Sequence, residues 1–128
     1  MESAKVIRTN VAELSMDKRG FLRLTLLNND ALFDLTEAKK QLEAENLLTN
    51  NQPYRLLIDT RKSVIMPDKE AEKHISLAQS RKVEAIIITS LYYRILAKYY
   101  IKHLKNTPAK VFRKEEDAIA WLLSLDVE

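Results

Sequence analysis

The sequence predicts an α/β fold, one domain over residues 1–128 with a mixed sheet of five strands and four helices. Three observations predict it. The stretch "GFLRLTLL" alternates Phe21, Arg23 and Thr25 against Leu22, Leu24 and Leu26, the period of a strand with one covered face. Two short apolar runs, Leu56–Ile58 and Ala85–Ile88, read as strands covered on both faces. Between such runs lie segments of helical length with caps and stops, the pattern of strand–helix–strand crossovers in a largely parallel sheet.

Each element has a local reason. "AKVIRTNVAELSMDKRGFLRLTLL" reads as two strands joined by "DKRG", with Gly20 where a hairpin loop needs a positive φ. "DLTEAKKQLEAENLL" is a helix with Asp34 as N-cap and Glu37 three residues on, as in a capping box. Its expected inner face is Leu35, Ala38, Leu42 and Glu45, running into Leu47 and Leu48. "TNNQP" stops it, because Pro53 cannot continue a helix and asparagine favours turns. "YRLLIDTR" is the third strand. "PDKEAEKHISLAQS" is the second helix, with Pro67 at its first position, acids near its positive end, and Ala71, Ile75 and Ala78 inward. "KVEAIIIT" is the fourth strand. The third helix opens at Ser90 and closes at "NTP". "AKVFR" is the fifth strand and "KEEDAIAWLLSL" the last helix, with Ile119, Trp121, Leu122 and Leu125 inward. The expected core includes Leu24, Leu56, Ile58, Ile86, Ile88, Val111 and Trp121.

Composition narrows function. With no cysteine there is neither a disulfide nor a thiolate metal site, and one glycine cannot build a phosphate-cradling loop or a dinucleotide fingerprint. "MESAKVIRTN" has no apolar core of a signal peptide, and no run is long enough to span a bilayer. The expected location is the cytoplasm, with a peripheral position at the membrane surface as the second reading. Net charge is +3, yet from Arg81 to Lys114 nine Lys/Arg face one acid, Glu84. That local +8 points to an acidic partner or an anionic surface.

The densest signal is "SLYYRILAKYYIKHLK", Ser90 to Lys105. Four tyrosines stand among four basic residues with no acid between them. On a helical wheel Arg94, Lys98, Lys102 and Lys105 form one stripe, and the apolar residues fill an arc wider than one sheet face needs. Like charges four apart repel mildly, so the stripe carries a cost as pure structure. Tyrosine, with an apolar ring and a polar tip, suits a boundary. Tyr92, Tyr93, Arg94, Lys98, Tyr100 and Lys102 are therefore the candidate binding residues. The bland alternative is two tyrosines in the core, two flanking it, and solvated lysines.

No catalytic constellation is apparent. Glu70 and His74 share a helix face but lack the further ligands a metal needs. Neither His74 nor His103 sits in a recognisable setting for a general base. Asp59 lies at the carboxyl end of a central strand, where α/β sheets place ligands, but an aspartate there also commonly caps the next loop. No enzyme activity, metal or cofactor is expected.

The order hairpin, helix, strand, helix, strand, helix, strand, helix resembles the STAS domain of anti-sigma-factor antagonists, and most closely its uncharacterised SpoIIAA-like branch. "RLLIDTRK", "TSLYYRILAKYYIKHLKNTPAKVF" and "FRKEEDAIAWL" carry the likeness, with Ser90 and Arg94 one turn apart at the start of the third helix. The resemblance implies a non-catalytic regulatory domain whose partner is a protein or a second copy of itself. It also implies phosphorylation at the start of the second helix, but "MPDKEAE" offers no hydroxyl there, and Asp68 and Lys69 stand instead. Ser63 and Thr60, just upstream, are the candidate phosphate acceptors. Binding of lipid head groups or an amphipathic small ligand is the alternative function, since Tyr/Lys helices lie at interfaces. Nucleic-acid binding is disfavoured, because no recognition motif accompanies the basic excess.

Overall fold

The computed structural model describes residues 5–27, 30–78, 80–102 and 107–125. One sheet carries six strands in strictly sequential order: β1 (Val6–Arg8), β2 (Ala12–Met16), β3 (Leu22–Leu26), β4 (Tyr54–Asp59), β5 (Arg81–Ile87) and β6 (Ala109–Phe112). β1, β2 and β3 pair antiparallel, and β3 to β6 run parallel. The helices are α1 (Leu35–Leu48), α2 (Lys69–Ser76), α3 (Leu91–Lys102) and α4 (Glu115–Ser124).

The sheet thus has six strands, not the five expected. The difference is at the amino end, where the first expected strand is cut by a tight turn. The Thr9 amide donates to the Ala12 carbonyl at 2.8 Å, and the chain folds back as β1 and β2. Buried Glu37 of α1 holds that turn. Its carboxylate accepts from the Thr9 hydroxyl, the Asn10 amide (3.2 Å), the Val11 amide (3.3 Å) and the Gln41 side chain (2.8 Å). The capping box is therefore half made. Asp34 caps the helix by accepting from the Glu37 amide at 3.0 Å, while the Glu37 side chain turns to the β1–β2 turn instead.

Side chains alternate across the sheet. One face buries Leu14, Leu22, Leu24, Leu26 and Leu56 against α1 and α2, and Ile86 and Ile88 against α3. The other buries Leu57, Val83, Ala85 and Ile87 against Ala118, Ile119 and Leu122 of α4. All three crossover helices lie on one face because the parallel strands advance in one direction. Under β2 and β3 the α4 side of the sheet is polar, with Glu13, Ser15, Arg23 and Thr25 half-buried, as the alternation in "GFLRLTLL" requires. The hairpin turns at Gly20, whose φ is +95°, and the α1 stop uses positive φ at Asn50 and Asn51.

Four expected core residues are buried: Leu24, Leu56, Ile86 and Ile88. Ile58, Val111 and Trp121 are only half-buried. Ile58 lines a cavity of about 60 Å³ between the sheet and α2 and α3, Val111 stands on the edge strand, and Trp121 leans on Phe112 with ring centroids 5.6 Å apart. The inner face of α1 differs in part, keeping the expected Ala38 and Glu45. Ala38, Ala44, Glu37, Gln41 and Glu45 are buried, whereas Leu42 is half-buried and Leu47 exposed. α2 begins at Lys69 with Asp68 as its N-cap, accepting from the Ala71 amide at 2.9 Å, so Pro67 precedes the helix rather than opening it.

Candidate functional site

α3 is the least embedded helix. Of its twelve residues only Ala97 is buried. Tyr93, Tyr100 and Ile101 lean on Ile86, Ile88 and Ala97, so they face the sheet. The opposite side carries Leu91, Tyr92, Ile95 and Tyr99, with 65%, 66%, 50% and 61% of their surface open. These four follow helical spacing and form one ridge. Lys98 and Lys102 are exposed beside it, and the Lys102 ammonium lies 5.4 Å from the centre of the Tyr99 ring, a cation–π contact. The Ser90 hydroxyl accepts from the Tyr93 amide at 3.4 Å at the start of the helix.

The six candidate binding residues are thereby divided. Tyr92, Lys98 and Lys102 share the open face, and Leu91, Ile95 and Tyr99 join them there. Tyr93 and Tyr100 turn inward, so the exposed aromatic pair is Tyr92 and Tyr99 and not Tyr93 and Tyr100. Arg94 is half-buried, and its Nε is enclosed without a hydrogen-bond partner. His103 and Lys105, placed on this helix by the sequence, lie outside the described residues.

Beneath α3 is a buried ionic group that the sequence pattern did not reveal. Arg81 of β5 makes two bonds to Glu45 of α1, at 2.8 and 2.6 Å, and a third to Glu84 at 3.1 Å. The Tyr54 hydroxyl donates a short bond to Glu45. Burial, and then the Glu45 charge, pushes the Tyr54 hydroxyl far up. Burial likewise raises the Tyr100 hydroxyl, with the Glu84 charge adding to it. Glu84 is raised by its own desolvation against the pull of Arg81, and its Oε2 has no partner. The readable signal was the charged pair Arg81 and Glu84 at the head of an apolar strand.

A second charged cluster marks the carboxyl end of the parallel strands. Asp59 accepts two bonds from the Arg61 guanidinium, at 3.0 and 2.8 Å, and one from the Arg61 amide at 2.9 Å. Arg61 and Arg23 both reach Glu115 at the start of α4, at 2.6 and 3.0 Å. Burial works to raise the Asp59 carboxyl, but the Arg61 bonds outweigh it and hold it below the usual carboxylate range. Glu115 is lowered chiefly by its bond from Arg23. Asp59 thus serves as a loop cap and ion-pair anchor. An open cleft of about 680 Å³ adjoins the cluster, lined by Arg19, Arg61, Arg113 and Lys114 together with Glu115 and Glu116.

Of the two candidate phosphate acceptors, Thr60 is buried and its hydroxyl donates to the Ile87 carbonyl at 2.7 Å. Ser63 is half-buried in the irregular segment before α2. Among the described residues no group of His, Cys, Asp and Glu is placed to hold a metal ion, and no helix is long and apolar enough to cross a membrane.

Residues 17–126 match the family described as "Domain of unknown function (DUF7793)". No curated protein matches the sequence. Among solved structures, an uncharacterised DUF3478-family protein with a SpoIIAA-like fold from Shewanella loihica PV-4 is similar over 94% of this chain and 92% of its own, at 14% identity and a TM-score of 0.57. A protein with unknown function from Arthrobacter sp. FB24 aligns over 88% of this chain and 99% of its own at 23% identity, but its TM-score of 0.34 is too low to argue from. The first likeness agrees with the STAS-like resemblance and shows a SpoIIAA-like fold.

Proposed function

The chain belongs to the DUF7793 family, and on that premise we propose that it is a non-catalytic regulatory domain that works by binding a protein through the outer face of α3. The observation that carries this reading is the ridge of Leu91, Tyr92, Ile95 and Tyr99. Four large apolar side chains in one row on one helix are a patch, not scattered exposure, and patches of this kind mark interaction sites. Tyrosines there supply large contact area with few rotatable bonds. The SpoIIAA-like fold supports a non-enzymatic role only as an analogy.

Cavity size supports a protein over a small ligand. The apolar space between the sheet and α2 and α3 is about 60 Å³, far below the roughly 300–1,000 Å³ of a small-molecule site. The larger cleft at the carboxyl end of the strands is open, and its arginines Arg61 and Arg19 are already tied to Asp59, Glu115 and Asp17.

Affinity purification from the cells that make the protein tests the reading. The tagged parent should retain at least one protein that an Ile95→Glu/Tyr99→Glu variant of equal thermal stability releases. Identical retention by parent and variant would remove α3 from the function.

A further inference from the structure

The charge beside the ridge says what kind of surface would cover it. α3 contains no acid; by wheel position Arg94 and Lys98 lie along one edge of the exposed row, and Lys102 falls near that edge, between Leu91 and Ile95 in angle and one turn beyond Lys98. By wheel position, at about 100° per residue, the other edge carries, among the described residues, Leu96 and Tyr100 and no Lys or Arg. Resting on the reading above, we infer that the outer face of α3 docks an acidic amphipathic helix, a partner segment whose apolar row meets the ridge and whose carboxylates line one flank.

Three features select this occupant. The ridge from Leu91 to Tyr99 spans eight residue steps, about 12 Å, which matches two turns of a partner helix. A second copy of this chain would bring a like face, Lys98 and Lys102 included, against the same residues, and charges of one sign meeting at an interface oppose it. An anionic bilayer favours a helix whose cations flank both sides of the apolar face at equal depth, whereas here no described Lys or Arg lies on the side of Leu96 and Tyr100. A partner helix needs its acids on one flank alone. The Lys102–Tyr99 contact keeps that flank beside the ridge.

Complementarity of this sort can be exchanged, and that makes it testable. The probes are a leucine–glutamate amphipathic helix and a leucine–lysine helix with the same apolar face, each titrated by fluorescence anisotropy. The parent should bind the acidic helix, with binding weakened by added salt, and ignore the basic one. A Lys98→Glu/Lys102→Glu variant should reverse the preference, losing about tenfold or more for the acidic helix. Both substitutions sit on exposed positions, and circular dichroism confirms that the variant is folded; Lys98→Ala is the milder second variant and should lose part of the affinity. Equal binding of the two helices by the parent, or a preference that survives the reversal, overturns the inference. So does either competing occupant. For a second copy, the sign is rapid disulfide dimerisation of an Ile95→Cys chain, which the cysteine-free parent makes unambiguous. For a membrane, it is flotation with vesicles of phosphatidylglycerol and phosphatidylcholine while the acidic helix stays unbound. Failure of the peptide titration with retention of cellular proteins through Ile95 and Tyr99 would sink this inference and leave the preceding reading standing.

Discussion

α3 and α4 flank the same end of the sheet from opposite faces, and they are built to opposite rules. α4 has ten residues and buries three of them, Ala118, Ile119 and Leu122. Its start is tied by Glu115 to Arg23 and Arg61, and its end by the Arg55 guanidinium, which donates to the Leu122 and Leu125 carbonyls at 2.8 and 2.6 Å. Both ends of α4 thus find partners from the sheet side. α3 is longer, buries only Ala97, and turns four large apolar side chains outward. A helix that serves the fold spends its apolar residues on the sheet. One that keeps them open is either unfinished or completed by something else. The difference separates the helix that holds the domain together from the helix whose apolar row stays open.

The largest expected effect tests whether stability near α3 belongs to the strand beneath it. Arg81→Met leaves Glu45 and Glu84 as buried carboxylates without their cation, and breaking such a group costs about 3–5 kcal/mol. Urea unfolding measures it; a loss under 1 kcal/mol would mean that the carboxylates are neutral or hydrated. Next comes Leu122→Ala on the inner face of α4, fully buried, for which about 2–4 kcal/mol is expected by the same measurement. A loss as small as that of an exposed residue would erase the contrast between the helices.

The third expectation concerns pH. Asp59 has its folded pKa lowered below the ordinary 3.8, so the stability it contributes is present above that value and is lost as pH falls through the lower folded one. Asp59→Asn should therefore cost about 1 kcal/mol at pH 7, with Arg61 partly open to solvent, and nothing once the pH is low enough to protonate the parent's carboxyl. Thermal melts across that range check the convergence. The smallest effect is on the ridge itself. Ile95→Ala or Tyr99→Ala should change stability by less than about 0.5 kcal/mol, while weakening partner capture most of all. If either destabilises as Leu122→Ala does, α3 is ordinary core.

How much of this was legible in the sequence depends on where each residue's partner lies. The apolar runs Leu56–Ile58 and Ala85–Ile88 announce β4 and β5, because a strand covered on both faces needs nothing but apolar residues. The Asp34 cap is local and was readable, whereas the sequence reads Asp68 as an acid near the positive end of a helix opened by Pro67, and the structure makes it the N-cap. The split of β1 from β2 was not readable, because the turn at Thr9 is held by Glu37 of α1, far along the chain. The inner face of α1 was misread in part for the same reason. Ala38 and Glu45 go inward as expected, with Tyr54 and Arg81 bonded to Glu45, but in place of Leu42 and Leu47 the helix buries Glu37 and Gln41, which bond to the β1–β2 turn and to each other. In α3 the aromatic and aliphatic residues cover most of the wheel, so no local signal chooses between Tyr92 with Tyr99 and Tyr93 with Tyr100. The sheet makes that choice through Ile86 and Ile88.

The sequential strand order has one more consequence. From β1 to β6, every strand hydrogen-bonds to the strand that precedes it in the chain. No strand has to be inserted between two already in place, and none waits for a partner made later. As the chain emerges from the ribosome, amino end first, the sheet can therefore grow by addition at one advancing edge, starting from the β2–β3 hairpin, while the β1–β2 turn waits for Glu37 of α1. The last strand to be laid down is the short β6, followed by α4. Until α4 is in place, Leu57, Val83, Ala85 and Ile87 have no helix to cover them on the far face of the sheet, so the last helix of the chain closes that half of the core.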